Sequence, residues 1–266
     1  AATCRTYGKT VDEMALKPFS AVKAALGENP KEGYAGKGKV VTRMGLAGVF
    51  REIMYKAKNY MKKQEAAKEK GTAMPDYDFQ LEPLCAVLRH EVPLRMHAHR
   101  QDDIMTAIRL AREFDYDLII EHCSEGYMIV DEIASDPHVK GVTIGPILIQ
   151  RGKVEAANKI WEAAGIMQRA GVLTAIVSDH PLSPVQYLTT YAAFSNKAGM
   201  DEEEVLKAIT INAAKLNGVA DRVGSLEIGK DADIAIFSGH PLDVRTTHTV
   251  ATIIAGNVVY RNPKFS

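Results

Sequence analysis

"VPLRMHAHRQDDIMTAIRLAREFDYDLIIEH" runs from Val92 to His122, and its reading decides the fold. The apolar run 92–98 reads as a short strand. In 102–114, Ile104, Ile108 and Ala111 recur at i, i+4 and i+7, which places them on one face of a helix, with Asp102 as its expected cap. "YDLIIEH" (116–122) reads as a second strand. Strand, helix and strand in succession make a βαβ unit, whose two strands run parallel. Each strand exits through polar residues, His97 and His99 from the first and Glu121 and His122 from the second. Two histidines one residue apart at a strand's exit admit three readings: a metal site, a general base with its orienter, or surface polarity.

The alternation continues. A helix is expected over 126–134, a strand over "KGVTIG" (140–145), a helix over "VEAANKIWEAAGIMQRAG" (154–171) and a strand over "VLTAIVSDH" (172–180). Helices over 184–199 and 201–214 follow. Ser178, Asp179 and His180 again put polar groups at a strand's carboxyl end. In a (β/α)8 barrel that edge builds the active site. An open parallel sheet obeys a similar rule, but no glycine-rich phosphate fingerprint follows any of these strands, which favours the barrel.

Upstream, residues 19–39 predict a short strand and a glycine-rich loop, followed by a long helix over 44–70, a linker at 71–78 and a helix over 79–90. Downstream the period changes to two. "VGSLEIGKDADIAIFSG" (223–239) alternates about a turn at Gly229-Lys230, and "THTVATIIAGNVVYRN" (247–262) holds two strands joined at Gly256-Asn257. Four small antiparallel strands are expected there.

Among the 266 residues, 46% are hydrophobic, enough for a substantial core, and 33 basic side chains balance 33 acidic ones. Zero net charge gives no global field for nucleic acid or an anionic membrane. No apolar run approaches the ~20 residues of a membrane span. Cys4, Cys85 and Cys123 are too far apart for zinc-ribbon or redox spacing, and a reducing, cytoplasmic setting fits them. The chain opens Ala1-Ala2-Thr3 without an initiator methionine, so residues in front of it are expected.

Taken together, three strand ends offer His97 with His99, His122, and Asp179. Imidazole and carboxylate are the usual ligands of Zn²⁺ or a similar divalent ion, and a catalytic ion needs about three of them plus an open position. A carboxylate beside activated water can take its proton and pass it to a leaving amine. Plainer readings stand beside this one. Each histidine can be a hydrogen-bonded structural residue, Asp179 can cap the next helix, and Cys123 can be a small buried side chain. Ser178-Asp179-His180 is a poor hydrolytic triad, because neighbours on one strand point to opposite faces.

The order "HAH", "EHC" and "SDHP" after successive strands resembles the amidohydrolase superfamily. "LEIGKDADIAIFSG" is similar to that superfamily's C-terminal signature, and "ALGENPK" and "TRMG" resemble the branch related to imidazolonepropionase and prolidase-type dipeptidases. The resemblance covers nearly the whole chain. It implies a distorted (β/α)8 barrel with one or two divalent metals, Zn²⁺ first among them, hydrolysing an amide or other C–N bond of a small-molecule substrate. His97 then matches the fifth-strand ligand, His122 the sixth-strand ligand, and Asp179 the eighth-strand residue that binds metal and shuttles protons. Lys23 stands where a fourth-strand lysine, when carboxylated, bridges two metals; Glu28 competes for that place. His99 and His180 look like groups beside the metal or against the substrate, Asn29 and Arg43 like substrate contacts. The loop 27–39 would lie at the mouth.

One departure is large. The family's first strand ends in His-x-His, whereas the His-x-His here falls in the fifth-strand position. About five strands can be counted, so the expected architecture is α/β: an incomplete TIM-type barrel of about strands 4 to 8 over 1–222, then the C-terminal part of a small flanking β domain over 223–266. An N-terminal segment or partner chain is expected to complete it. Open sheet edges also favour a homo-oligomer. Substrates of the class dipeptide, acyl-amino acid or cyclic amide are expected, with Asp179 as general base and then acid. The alternatives are an inactive fragment or subunit, and a nucleophilic hydrolase using Cys123 or Ser178.

Overall fold

The structure, a computed structural model, describes residues 1–33, 40–148 and 153–265. Its centre is a sheet of five parallel strands in sequence order: β3 (Val22–Ala25), β4 (Leu94–Ala98), β5 (Leu118–His122), β6 (Val139–Ile144) and β7 (Thr174–Ile176). Preceding them, β1 (Thr3–Cys4) and β2 (Ala15–Lys17) pair antiparallel around the single turn of α1 (Val11–Met14). Parallel strands taken in sequence order, with helical crossovers, are the arc of a barrel. The register sets Ala25 beside His97 and His97 beside Glu121, while Ala98 faces His122, so the polar exits lie along one edge.

Helices α3 (Arg43–Lys70), α4 (Glu82–Leu88), α5 (Gln101–Phe114), α6 (Val130–Ser135), α7 (Ala163–Arg169), α8 (Leu188–Lys197) and α9 (Glu202–Ala208) cover the outer face, while α2 (Glu28–Gly33) follows β3 at the polar edge and α10 (Ile211–Leu216) packs Leu216 against Ile119 and Ala175. The long α3 has its boundaries written locally. Thr42 caps it by accepting the Gly45 N–H at 3.0 Å, and Gly71 ends it in the left-handed region at φ 61. Ile104, Ile108 and Ala111 of α5 are fully buried against Met96, Ala98 and Ile120, as their period predicts. Asp102, however, lies within the first turn of α5 and pairs with Arg100, and the cap position is held by Arg100 without a side-chain bond.

Two expected elements are shorter than their patterns. The helix over 154–171 begins only at Ala163, preceded by a single 3-10 turn, Val154–Ala156. Tertiary partners claim the intervening residues: the Asn158 carbonyl accepts from the Tyr127 hydroxyl at 3.0 Å, and its amide donates to Glu125 at 2.8 Å. The segment 223–239 forms only β8 (Ile234–Phe237). Gly224 and Gly229 take φ of 97 and 94, which breaks an extended run. Arg5 and Arg222 bind Asp231 there, and Arg5 also binds Asp233, tying the first residues to the last part of the chain. With β9 (Thr249–Ile254) and β10 (Asn257–Arg261), β8 makes a three-stranded antiparallel sheet, one strand fewer than expected. The β9–β10 turn is carried by Ala255-Gly256, both at positive φ.

No helix among the described residues is long and apolar enough to cross a membrane.

Candidate metal centre at the strand exits

Side-chain alternation decides what faces the inside of the arc. Along β4, Met96 and Ala98 enter the core against the helices, so Arg95 and His97 face inward. Glu121 of β5 faces inward as well. It pairs with Arg95, accepts the Thr143 hydroxyl at 2.6 Å, and is buried with Thr143. Burial pushes the Glu121 carboxyl up, but the Arg95 guanidinium and the Thr143 hydroxyl outweigh it and hold the group below the usual carboxylate range. Arg95 also donates to the Leu216 carbonyl and to Asn217, both at 3.0 Å. This ion pair is thus fully engaged and stands apart from the open end of the site.

His122, next after Glu121, would by alternation point outward. Its φ of 71 takes the backbone out of the extended region, and Cys123 follows at 44. The imidazole swings in beside His97, with ring centroids 4.5 Å apart. Asp179 makes a similar departure at φ 55 after β7. Such conformations are costly for residues other than glycine and collect where geometry serves a site.

His97, His99 and His122 are buried, and each offers a ligand-type nitrogen within 4.8 Å of the others. His122 Nδ1 lies 2.7 Å from the Gly145 carbonyl oxygen. A carbonyl only accepts, so Nδ1 carries the proton and Nε2 keeps its lone pair. Gly145 permits this approach, because a Cβ there would stand 2.2 Å from the Val177 oxygen. His99 Nδ1 is 2.7 Å from the Ser124 hydroxyl. Burial, then the neighbouring His122 and His97 rings, push His99 down to about 3; burial and His97 likewise lower His122. Both rings are therefore neutral at physiological pH, the state in which imidazole binds metal.

Sequence reading missed Glu155, which sits in a stretch whose period suggested an uninterrupted helix. It is 0% exposed. Its Oε2 accepts the Glu28 backbone N–H at 2.7 Å, and its own N–H donates to Glu28 Oε1 at 3.1 Å. Gly27, at φ 78, makes room: a Cβ there would fall 2.2 Å from Oε2. Oε1 lies 3.5 Å from His97 Nε2 and 3.9 Å from His99 Nε2. Burial pushes Glu155 up, but His97 and the Glu28 N–H outweigh it and bring the carboxyl down to about 2.

His97, His99 and His122 line a cavity of about 350 Å³ with Asn29, Pro146, Lys153, Lys159, Asp179 and Leu182. His97, His99, His122, Asp179 and Asn29 of the expected residues thus share one cavity. Lys23 is exposed on β3, its ammonium 3.5 Å from the Ala24 carbonyl. Crowding on one side lowers its pKa, opposed by the Glu121 and Asp179 carboxylates. Glu28 spends Oε1 on the Glu155 N–H. Arg43 binds Asp103 at 3.0 Å, and His180 accepts the Val185 N–H at 3.4 Å; neither lines the cavity. Of the loop expected at the mouth, residues 34–39 lie outside the described part.

The donor set fits a divalent cation. His97 Nε2 and Glu155 Oε1 are buried without a hydrogen-bond partner, and such atoms are costly unless something compensates them. Imidazoles with a carboxylate are the mixture that borderline-soft divalent ions select.

A barrel arc with imidazoles and carboxylates at its carboxyl edge defines the class as a metal-site α/β-barrel protein. Residues 39–260 match the amidohydrolase family, and the chain belongs to that family. A solved amidohydrolase from Thermotoga maritima MSB8 is 42% identical with a TM-score of 0.93, over 98% of this chain and 68% of that one. Amidohydrolase tasK of Hapsidospora irregularis is 27% identical over 237 residues, 84% of this chain and 24% of tasK. The imidazolonepropionase of Thermoplasma acidophilum is 28% identical over 187 residues, 66% of this chain. The chain spans about two-fifths of that enzyme's length, 42%.

Proposed function

We propose that this chain carries the metal-binding and proton-transfer groups of a divalent-metal-dependent hydrolase acting on an amide or other C–N bond. The observation that carries the reading is the convergence of His97, His99 and His122 on one cavity whose wall includes Asp179. Zn²⁺ is the ion assigned, on the mixture of nitrogen and oxygen donors. His97 and His122 would hold it, with Asp179 beside it and Lys23 available on β3 toward a second ion. The chemistry such an ion supplies when bound is activation of water at neutral pH and polarisation of a carbonyl.

The chain's own residues do the rest. Gly145 and Ser124 fix the ring orientations of His122 and His99. Asp179 takes a proton from the attacking water and returns it to the leaving nitrogen, so the amide's C–N bond breaks as a C–O bond forms. Pro146 and Leu182 present apolar surface to the substrate body. Lys153 and Lys159 put two cations on the same wall. Dipeptides and acyl-amino acids, which end in a carboxylate, suit that wall better than an uncharged cyclic amide. Asn29 is within this cavity as a polar contact, and residues 1–222 are assigned to the barrel portion with 223–266 as the flanking β portion.

The test is reconstitution. Metal-stripped protein is assayed on acyl-amino acids, dipeptides and cyclic amides, with and without added Zn²⁺. Hydrolysis restored by Zn²⁺ and abolished by a chelator is expected. Hydrolysis indifferent to both, or no Zn²⁺ uptake at all, sinks the proposal.

A further inference from the structure

The amino ends of the strands, opposite the cavity, carry a second cluster of titratable groups, which the proposed hydrolysis does not use. The two ring nitrogens of His138 face different carboxylates, Nδ1 at 3.1 Å from Asp136 and Nε2 at 3.2 Å from Asp115. His90 Nδ1 lies 3.2 Å from Asp117, and its Nε2 stands 4.0 Å from the same Asp115 oxygen. Arg112 pairs with Asp136, and Lys140 with Asp117 at 3.3 Å. The order in space is Arg112, Asp136, His138, Asp115, His90, Asp117 and Lys140, so a carboxylate stands at every second place.

A neutral imidazole carries one N–H, and a carboxylate only accepts. His138 therefore holds Asp136 and Asp115 together only as the imidazolium. Among the described residues, the ion pairs of Asp115 within 4.0 Å are both to imidazoles, so neutral rings leave its charge without a cation at that range. The other charged groups nearby stand farther off or are engaged. Lys58, Lys62 and Glu65 of α3 share a hollow with Asp115, and Lys17 and Lys215 share one with Asp117. Arg89 and Glu91, on either side of His90, pair with each other. The Asp115 side chain is 77% exposed, which screens any single pair, so the effect belongs to the chain of alternating charges.

The same residues begin the sheet. The Asp117 carbonyl accepts the Leu94 N–H and the His138 carbonyl the Leu118 N–H, each at 2.8 Å. These bonds open the ladders of β4 and β5, whose far ends carry His97 and His122. His90 and Asp115 follow the ends of α4 and α5 at positive φ, 57 and 56, so the turns into both strands are held in a costly conformation.

We propose that His138, with His90, is a pH-sensitive bridge that tightens the base of β4 and β5 as the imidazoles take up protons. It is independent of the hydrolase reading. Protonation strengthens the folded form, so the stabilisation is present below the unfolded imidazole value of about 6.5 and is lost as pH rises above it.

The experiment is urea unfolding of wild type, Asp115→Asn and His138→Gln at pH 6 and pH 8 in chelating buffer, with amide exchange at Leu94 and Leu118. Asparagine accepts the positive φ of position 115 and removes only the charge, so that variant is expected to fold. His138→Gln keeps one donor and cannot titrate. Subtracting each variant from wild type cancels the groups they share, including His99 and His122, whose buried rings act in the opposite sense on acidification. The advantage of wild type in urea midpoint is expected to be about twofold larger at pH 6 than at pH 8. Protection of Leu94 and Leu118 relative to Val142 should rise about threefold over the same interval in wild type and stay level in the variants. An advantage equal at the two pH values in either folded variant, or larger at pH 8, overturns the proposal. So does wild-type protection at Leu94 and Leu118 that keeps a constant ratio to Val142.

Discussion

His122 donates its Nδ1–H to the Gly145 carbonyl across 2.7 Å, which fixes the tautomer and leaves Nε2 to face His97 and His99. The orientation comes from backbone, not from another titratable side chain, so protonation of a neighbour does not release it. An ion binding the folded form alone stabilises it by about 2.7 kcal/mol at a free concentration a hundred times Kd. Zn²⁺ should therefore raise the melting temperature of wild type by several degrees. His122→Ala should lose most of that rise, and an undiminished rise in the variant would place the ion elsewhere.

Asp179 is solvent-exposed on the cavity wall, so it contributes little to packing. Asp179→Asn should keep the metal-free melting temperature while lowering kcat by about 10²–10⁴, the usual worth of general acid–base catalysis. Turnover near the wild-type rate would remove Asp179 from the proton pathway.

The thiols separate metal from nucleophilic chemistry. Cys123 is fully buried, and burial pushes it up to about 12; Cys85 is buried likewise and pushed up to about 11. A thiolate is the reactive form, so neither competes at neutral pH. Iodoacetamide at pH 8 should label native protein once, at exposed Cys4, without loss of hydrolysis, as intact mass and assay together would show. Inactivation that follows labelling of Cys123 would revive a cysteine nucleophile.

Asp136 precedes β6, its carboxylate accepting the His138 N–H at 2.9 Å and pairing with Arg112. Burial pushes its carboxyl up, but Arg112 and His138 outweigh that and lower it. A folded pKa below the unfolded one contributes stability that is present above the unfolded value of about 3.9 and lost as pH falls through the folded value. Arg112 is half exposed, which screens the pair. Asp136→Asn should cost on the order of 1 kcal/mol at pH 7 and flatten the acid limb of stability below pH 4. Urea melts across pH 2–7 measure both, and an unaltered acid limb would assign it to other carboxylates.

What could be read in advance follows the range of the forces involved. The helix period of Ile104, Ile108 and Ala111, and the strand runs ending in His97 and His122, are written within a few residues of themselves, and the amidohydrolase motifs ride on them. Thr42 and Gly71 mark the ends of α3 for the same reason. Glu155 was illegible because its local sequence suits a helix, and only partners 127 positions away in sequence draw it inward. The break before Ala163 has the same origin in Tyr127 and Glu125. Arg43 reads from the motif as a substrate contact, yet the Asp103 carboxylate takes it. Residues 223–233 alternate like a strand, but Arg5, 226 positions away, clamps Asp231 together with Arg222.

The reciprocal clasp between Glu28 and Glu155 also bears on the order of assembly. It closes a loop of more than a hundred residues, and the entropy of such a closure grows as about (3/2)RT ln n and must be met before the contact returns anything. Neighbouring strands pair over shorter separations, so the arc can consolidate while the Glu155 segment is still undocked. Amide exchange should find the N–H groups of Glu28 and Glu155 opening far more readily than those of Ile119 or Val142. The centre would then be the last part of the molecule to form and the first to loosen, and an ion seated there would act as a latch on a completed fold.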